Sequence, residues 1–87
     1  MLESAQFRIL RRHQVEAETG YSRSTLYLRM AQGLWPKPVN IGPRAVGWPA
    51  AEVAAMNAAI IAGKSADDIR TIVIRLLSAR KTKSQRF

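Results

Sequence analysis

The sequence predicts a mainly α-helical fold with one small β-hairpin. Three observations predict it: short helical patterns on either side of Gly20, a break in that pattern at Pro36 and Pro38, and two further apolar stripes after Pro49. The 87 residues suffice for one compact domain, and the 47% hydrophobic content supplies a core without a metal or a disulfide.

The first predicted helix begins at Leu10 or Arg11 and ends at Thr19. Gly20 comes next, where a left-handed residue closes a helix at least cost. Residues 1–7 show no clear period, so we expect them to form a loose N-terminal arm.

The second predicted helix follows after a turn of three residues and covers Arg23–Gln32. Ser22 is a favourable N-cap because its hydroxyl can accept a hydrogen bond from an orphan backbone N–H. Leu26 and Met30 lie four residues apart and therefore share the inward face, and Gly33 closes the helix. The two helices and their tight turn predict a helix-turn-helix.

Residues 38–48 are predicted to form a β-hairpin. Two short strands, 39–41 and 45–48, flank a Gly-Pro-Arg turn that places Arg44 at or near the tip. The two tryptophans flank the hairpin and are expected in the core, where they pin it onto the helices: Trp35 and Trp48.

A third helix is predicted to start at Pro49 and to end at Gly63. Its apolar stripe consists of Val53, Met56 and Ile60.

A fourth helix is predicted from the N-cap Ser65 to Arg80, followed by a basic flexible tail at 81–87. Asp67 and Asp68 complement the positive end of its dipole. Its apolar face is wide: Ile69, Ile72, Val73, Ile74, Leu76 and Leu77. That width allows two interpretations, packing onto the core or a dimer face made of Ile69, Ile72, Val73 and Leu76.

The charge points to a polyanionic partner. Fourteen basic against six acidic residues give a net charge of +8 and a pI near 11.2, and ten of the fourteen are arginine. Such an excess favours nucleic acid or an acidic membrane surface. The alternative is a charged, solvated surface without a partner. No apolar run is long enough for a membrane helix, and of the two polyanions we expect nucleic acid rather than a membrane as the partner.

No arrangement of residues indicates catalysis. One histidine, no cysteine and six scattered carboxylates offer no nucleophile-base pair and no metal cluster, so we expect neither an enzyme, a cofactor nor a metal. The absence of cysteine fits a cytoplasmic protein, and the first residues do not resemble a signal peptide.

The second helix is the predicted recognition helix. With Leu26 and Met30 inward, a rotation of about 100° per residue directs Ser24, Leu28 and Ala31 outward. The N-terminal end of such a helix goes deepest into the major groove. We therefore expect three residues near base edges or phosphates, Arg23, Ser24 and Tyr27, and three at the margin, Thr25, Leu28 and Arg29. The arginines could instead be plain surface charges, and Tyr27 could be a core aromatic.

Several stretches resemble the AlpA family of small phage and integrative-element regulators, which is related to the MerR-like winged helix-turn-helix and excisionase group. The resemblance covers about residues 8–61 and rests on these segments: Ser22 to Tyr27, Gly33, Trp35 to Val39, Gly42 to Trp48, and Glu52-Val53. It implies a winged helix-turn-helix DNA-binding domain over 8–62, to which 63–80 adds a C-terminal helix that shorter members lack. A second departure is Pro49-Ala50-Ala51, where a more polar helix start is usual.

The resemblance also implies DNA contacts and a role. The implied contacts are Arg23, Ser24, Thr25 and Tyr27 in the helix, with Lys37 and Arg44 in the wing. We also expect Ser22, at the start of the helix, to contact DNA. The implied role is transcriptional control of integrase or excision genes through repeated sites in a promoter or attachment region.

Alternatives stay open at this point. The chain could act as an excisionase that bends DNA, or as a protein-interaction adaptor working through its last helix. Further expected partners are a second copy of the chain, an integrase or RNA polymerase. RNA is disfavoured because the aromatic residues look buried.

Overall fold

The computed structural model describes residues 7–84, with side chains described through Lys81. Seven elements follow one another along this part of the chain, and they confirm the predicted fold class of a mainly helical domain with a small β-hairpin and an extra C-terminal helix. The elements are β1 (Ile9–Leu10), α1 (Arg12–Thr19), α2 (Arg23–Ala31), β2 (Val39–Gly42), β3 (Ala45–Pro49), α3 (Ala50–Ile61) and α4 (Ala66–Ser84).

The helix-turn-helix forms as the local sequence dictates. Gly20 closes α1 in the left-handed region with φ 78°, and its N–H donates to the carbonyl of Glu16. Ser22 then caps α2, since its Oγ accepts from the backbone N–H of Thr25 at 3.2 Å. The predicted turn and cap are therefore confirmed, and α2 ends at Ala31, one residue before the predicted end.

The sheet has three strands in the order β1-β3-β2, so the hairpin gains a third strand that the sequence analysis did not predict. The prediction that the first helix begins at Leu10 or Arg11 was wrong, because Ile9 and Leu10 form a strand. They pair antiparallel with Pro49 and Trp48 of β3 instead, and α1 starts at Arg12.

Gly47 explains why β1 can approach β3 so closely. A Cβ at this position would lie 2.9 Å from the carbonyl oxygen of Leu10, and it would also meet the side chain of Ile9. The absence of a side chain at Gly47 therefore permits the third strand.

The two tryptophans lie in the core, as predicted. Trp35 and Trp48 are 1% and 0% exposed, and both belong to one core cluster that includes residues from every helix. The indole Nε1 of Trp48 donates to the carbonyl of Pro36 at 2.8 Å, which ties β3 to the segment before β2. The Nε1 of Trp35 is buried and has no hydrogen-bond partner among the described residues.

The buried face of α3 differs from the predicted stripe. Val53 and Met56 are buried as expected, but Ile60 is 42% exposed. Ala59 and Glu52 are buried in its place, so the inward stripe is rotated relative to the prediction.

The helix α4 packs along its own domain and is longer than predicted. It runs to Ser84 rather than ending at Arg80, because no residue that breaks a helix follows Arg80. Residues 81–84 of the predicted tail are thus helical, while 85–87 lie outside the described residues, as do residues 1–6 of the predicted arm.

The predicted dimer face is mostly used within the monomer. Ile69 and Val73 are 7% and 5% exposed, and Ile72 and Leu76 are partly buried against the same core. Of the two interpretations, the burial of these side chains favours packing onto the core, and dimerisation through this face stays a prediction.

Candidate nucleic-acid interface

The helix α2 presents one buried face and one exposed face. Leu26 is fully buried and Met30 packs against the core. On the other side Ser24 is exposed, Tyr27 is 41% exposed and Leu28 is 56% exposed. The predicted outward face is therefore present, and Tyr27 belongs to the surface rather than to the core.

Arg23 and Tyr27 form a single surface unit. The guanidinium carbon of Arg23 lies 5.8 Å from the centre of the Tyr27 ring, one helical turn away. A cation over an aromatic face is attracted to it, so the ring restricts the positions of the arginine. The arrangement places a fork of N–H donors over an exposed aromatic ring in the N-terminal half of α2.

Ser22 and Thr25 have a structural task at the start of α2. Besides accepting from the Thr25 N–H, Ser22 Oγ donates to Thr25 Oγ1 at 3.0 Å. The N–H groups of Arg23 and Ser24 have no partner within the helix, as is general for a first turn. Together with the positive end of the helix dipole, these N–H groups favour binding of an anion such as phosphate.

Arg29 lies apart from the exposed face. Its guanidinium carbon is 5.5 Å from the centre of the Tyr21 ring, and the side chain borders a depression next to α3 and α4. Tyr21 in turn meets Trp35 edge to face, with ring centres 5.9 Å apart. The position of Arg29 thus favours a packing role over the marginal contact expected from the sequence.

The hairpin carries Arg44 in its turn, as predicted. The residue is exposed and adopts φ 57°, the one left-handed residue other than glycine in residues 7–84. A side chain with a Cβ is strained in this conformation. Glycine would adopt the backbone conformation of Arg44 with less strain.

Lys37 lies at the base of the hairpin and not on its strands. It precedes β2 by two residues, its side chain is exposed, and it borders α4. Its carbonyl accepts from Arg80 Nη2 at 2.8 Å. The structure therefore separates Lys37 from Arg44, although the sequence analysis grouped them in one wing.

Two further cations were missed by the sequence analysis. Arg8 and Arg11 flank β1 and are exposed, and the carbonyl of Arg8 accepts from Ala50 N at 2.7 Å. The backbone of Arg8 is thus tied to the residue that follows β3, and Arg11 lies between β1 and α1. The sequence does contain a pattern that could have indicated them. Arg8 and Arg11 enclose the apolar pair Ile9-Leu10, as expected for a short strand with a charged residue at each end.

Within residues 7–84, no three His, Asp or Glu side chains lie together in a group that could hold a metal ion. None of the described helices combines the length and the apolar character needed to cross a membrane.

The elements and their exposed faces define the class of the protein: a winged helix-turn-helix domain with an added C-terminal helix. The chain belongs to the AlpA family of prophage regulatory proteins, because the family model described as "Prophage CP4-57 regulatory protein (AlpA)" matches residues 8–55, more than half of its length. The match confirms the resemblance inferred from the sequence, and it ends within α3, so α4 lies outside it. No curated protein and no solved structure matches the chain.

Proposed function

We propose that this protein is a sequence-specific regulator that binds duplex DNA in a prophage or integrative element and controls its integrase or excision genes. The observation that carries the proposal is the exposed surface of α2, where Ser24 lies opposite the buried Leu26 and the exposed Arg23 and Tyr27 flank it. Membership of a family of prophage regulatory proteins supports the biological setting.

In this proposal α2 enters the major groove, which is wide enough to admit an α-helix. Arg23 and Ser24 contact base edges, because both lie in the first turn and both offer hydrogen-bonding groups. The Tyr27 ring orients the Arg23 guanidinium, and the Tyr27 hydroxyl can donate a hydrogen bond to a phosphate. Leu28, with no polar group, contacts a thymine methyl.

The hairpin and the helix start supply affinity without reading sequence. Arg44 at the tip contacts the phosphate backbone, as do the free N–H groups of Arg23 and Ser24. The net charge of +8 strengthens all of these contacts at low salt, since binding releases counterions from the DNA.

A single α2 of nine residues reads only a few base pairs. Each mismatched base pair lowers the binding free energy by about 1–3 kcal/mol. A contact with a few base pairs at one site therefore distinguishes that site poorly from the many other sites in a genome. We therefore propose repeated sites in a promoter or attachment region, each occupied by one copy of the chain.

Fluorescence anisotropy tests the proposal. Labelled duplexes from upstream of the chain's own gene and its neighbours are titrated at two salt concentrations, with scrambled duplex as competitor. Tight binding that survives the competitor and weakens steeply with salt is expected. Weak binding of equal strength for both duplexes would contradict it.

A further inference from the structure

A shallow apolar groove lies between the C-terminal end of α2 and the outer side of α4. It has a volume of about 340 Å³, and its floor includes Met30, Trp35 and Val73. It continues along α4 into a second depression that shares Lys37, Ile74 and Leu77 with the first. The groove is at the opposite end of α2 from its capped, exposed N-terminus.

One stripe of α4 forms a wall of this groove. Arg70, Ile74, Leu77 and Lys81 recur at intervals of four, three and four residues, which places them on one side of the helix. The apolar pair is central, and Ile74 is 65% exposed although it lies within the groove. A cation stands at each end of the stripe.

The rim of the groove is basic. Lys37 faces the stripe from the segment before β2, and no Asp or Glu is among the described residues that line either depression. Arg70 is held at the rim because its Nε donates to the carbonyl of Gln32 at 3.0 Å, and its only described carboxylate partner is the almost fully exposed Asp67. Lys37 and Lys81 take part in none of the ion pairs among the described side chains.

We propose that this groove docks an acidic amphipathic helix of a partner protein. The partner's apolar residues cover Ile74 and Leu77, and its carboxylates meet Lys37, Arg70 and Lys81. Charge complementarity selects this occupant, since a second copy of a chain with net charge +8 would bring further cations to a basic rim. The inference does not depend on DNA binding and goes beyond it, by giving the protein a second surface for a protein component.

The direct probe is a designed, fluorescein-labelled peptide of roughly 14 residues, a length at which an isolated helix becomes marginally stable. It carries leucines at i, i+3, i+4 and i+7 with glutamates on the flanking positions. Two matched peptides serve as controls, one with lysine for every glutamate and one with the acidic sequence scrambled. Anisotropy against the full chain is expected to give saturable binding of the acidic amphipathic peptide, at least about tenfold tighter than either control.

Variants locate the binding. Ile74→Ser is expected to lower the affinity for the peptide about tenfold, because it removes the central apolar contact. Ile61→Ser is the matched control: Ile61 is 85% exposed at the end of α3, outside the groove, and its loss should leave peptide binding unchanged. Lys81→Glu should weaken binding about twofold to fivefold. Circular dichroism confirms that each variant folds, and amide chemical shifts of labelled protein should change at residues 70–81 and near Lys37.

Four outcomes would overturn the proposal. Equal binding of the scrambled acidic peptide would show simple charge attraction. Shift changes confined to α2 and the hairpin tip would show that the acidic peptide occupies the surface proposed for DNA. Self-association in sedimentation that Ile74→Ser abolishes would make a second copy the occupant. The absence of saturable binding would leave the groove without this function.

Discussion

Glu52 of α3 and Arg80 of α4 form a two-point ion pair across 28 residues of sequence. Arg80 Nε donates to Glu52 Oε2 at 2.8 Å, Nη2 donates to Oε1, and the same Nη2 reaches the carbonyl of Lys37. Glu52 is 4% exposed. The pair thus joins α3, α4 and the base of the hairpin at one buried point.

Removing one partner of this pair should be costly. Arg80→Met leaves a buried carboxylate without its counter-ion and is expected to lower the free energy of unfolding by about 3 kcal/mol. The double variant Glu52→Leu/Arg80→Met should recover most of that loss, because no buried charge remains. Urea denaturation measures both. Arg12→Met, which breaks the more exposed pair with Glu16, is the control and should cost less than about 1 kcal/mol. A similarly small cost for Arg80→Met would show that the buried pair is not important for stability.

Gly47 should be required for the third strand. Gly47→Ala places a methyl group against the backbone carbonyl of Leu10 and is expected to cost about 2 kcal/mol. The Ala50 amide, which donates to Arg8, should then lose protection from hydrogen exchange. Val46→Ala, at a partly exposed neighbour, should cost less than about 1 kcal/mol and keep that protection. If Gly47→Ala kept both the stability and the protection, the close approach of β1 would be disproved.

Replacing Trp48 by phenylalanine should destabilise the fold more than the same change at Trp35, although both side chains are buried. Trp48→Phe removes the hydrogen bond to the buried Pro36 carbonyl, whereas Trp35→Phe removes a donor that has no partner among the described residues. The first change should therefore cost about 1–2 kcal/mol more than the second. Thermal or urea unfolding of the two variants measures the difference, and equal costs would argue against the Trp48 hydrogen bond.

Arg44 is expected to lower the stability of the fold and to strengthen DNA binding. Arg44→Gly relieves a left-handed residue and is expected to stabilise the fold by up to about 1 kcal/mol, while DNA binding weakens on any sequence. Arg44→Ala should weaken DNA binding to the same extent without the gain in stability. Unfolding and anisotropy are measured on both variants. If Arg44→Gly bound DNA as well as the original chain, the strained arginine would have no role in the contact.

The features that the sequence predicted well are those set by near neighbours. Gly20, Ser22 and Ser65 act within three or four residues of themselves, so the helix ends could be inferred locally, and Ser65 does accept from the Asp68 N–H at 3.1 Å. The family, too, was recognisable from short motifs. The outward face of α2 followed from the inward positions of Leu26 and Met30.

The features it missed depend on distant partners. A strand of two residues, Ile9–Leu10, has no period of its own and exists because β3 lies beside it. Glu52 is buried because Arg80 covers it from another helix, which no local pattern on α3 indicates. Arg29 likewise lies beside the Tyr21 ring, a contact that helical rotation alone does not predict, and its expected place at the margin of the DNA contact stays a prediction.

If the exposed face of α2 reads DNA sequence, Arg23→Ala lowers the ratio of the affinity for cognate duplex to the affinity for scrambled duplex. Affinity is measured by anisotropy on the cognate and on a scrambled duplex, for the original chain, for Arg23→Ala and for Arg44→Ala. Arg23→Ala is expected to cost about 1–3 kcal/mol of binding free energy on the cognate duplex and much less on the scrambled one, while Arg44→Ala weakens binding to both alike. Equal weakening of binding to both duplexes by Arg23→Ala would contradict sequence reading by α2.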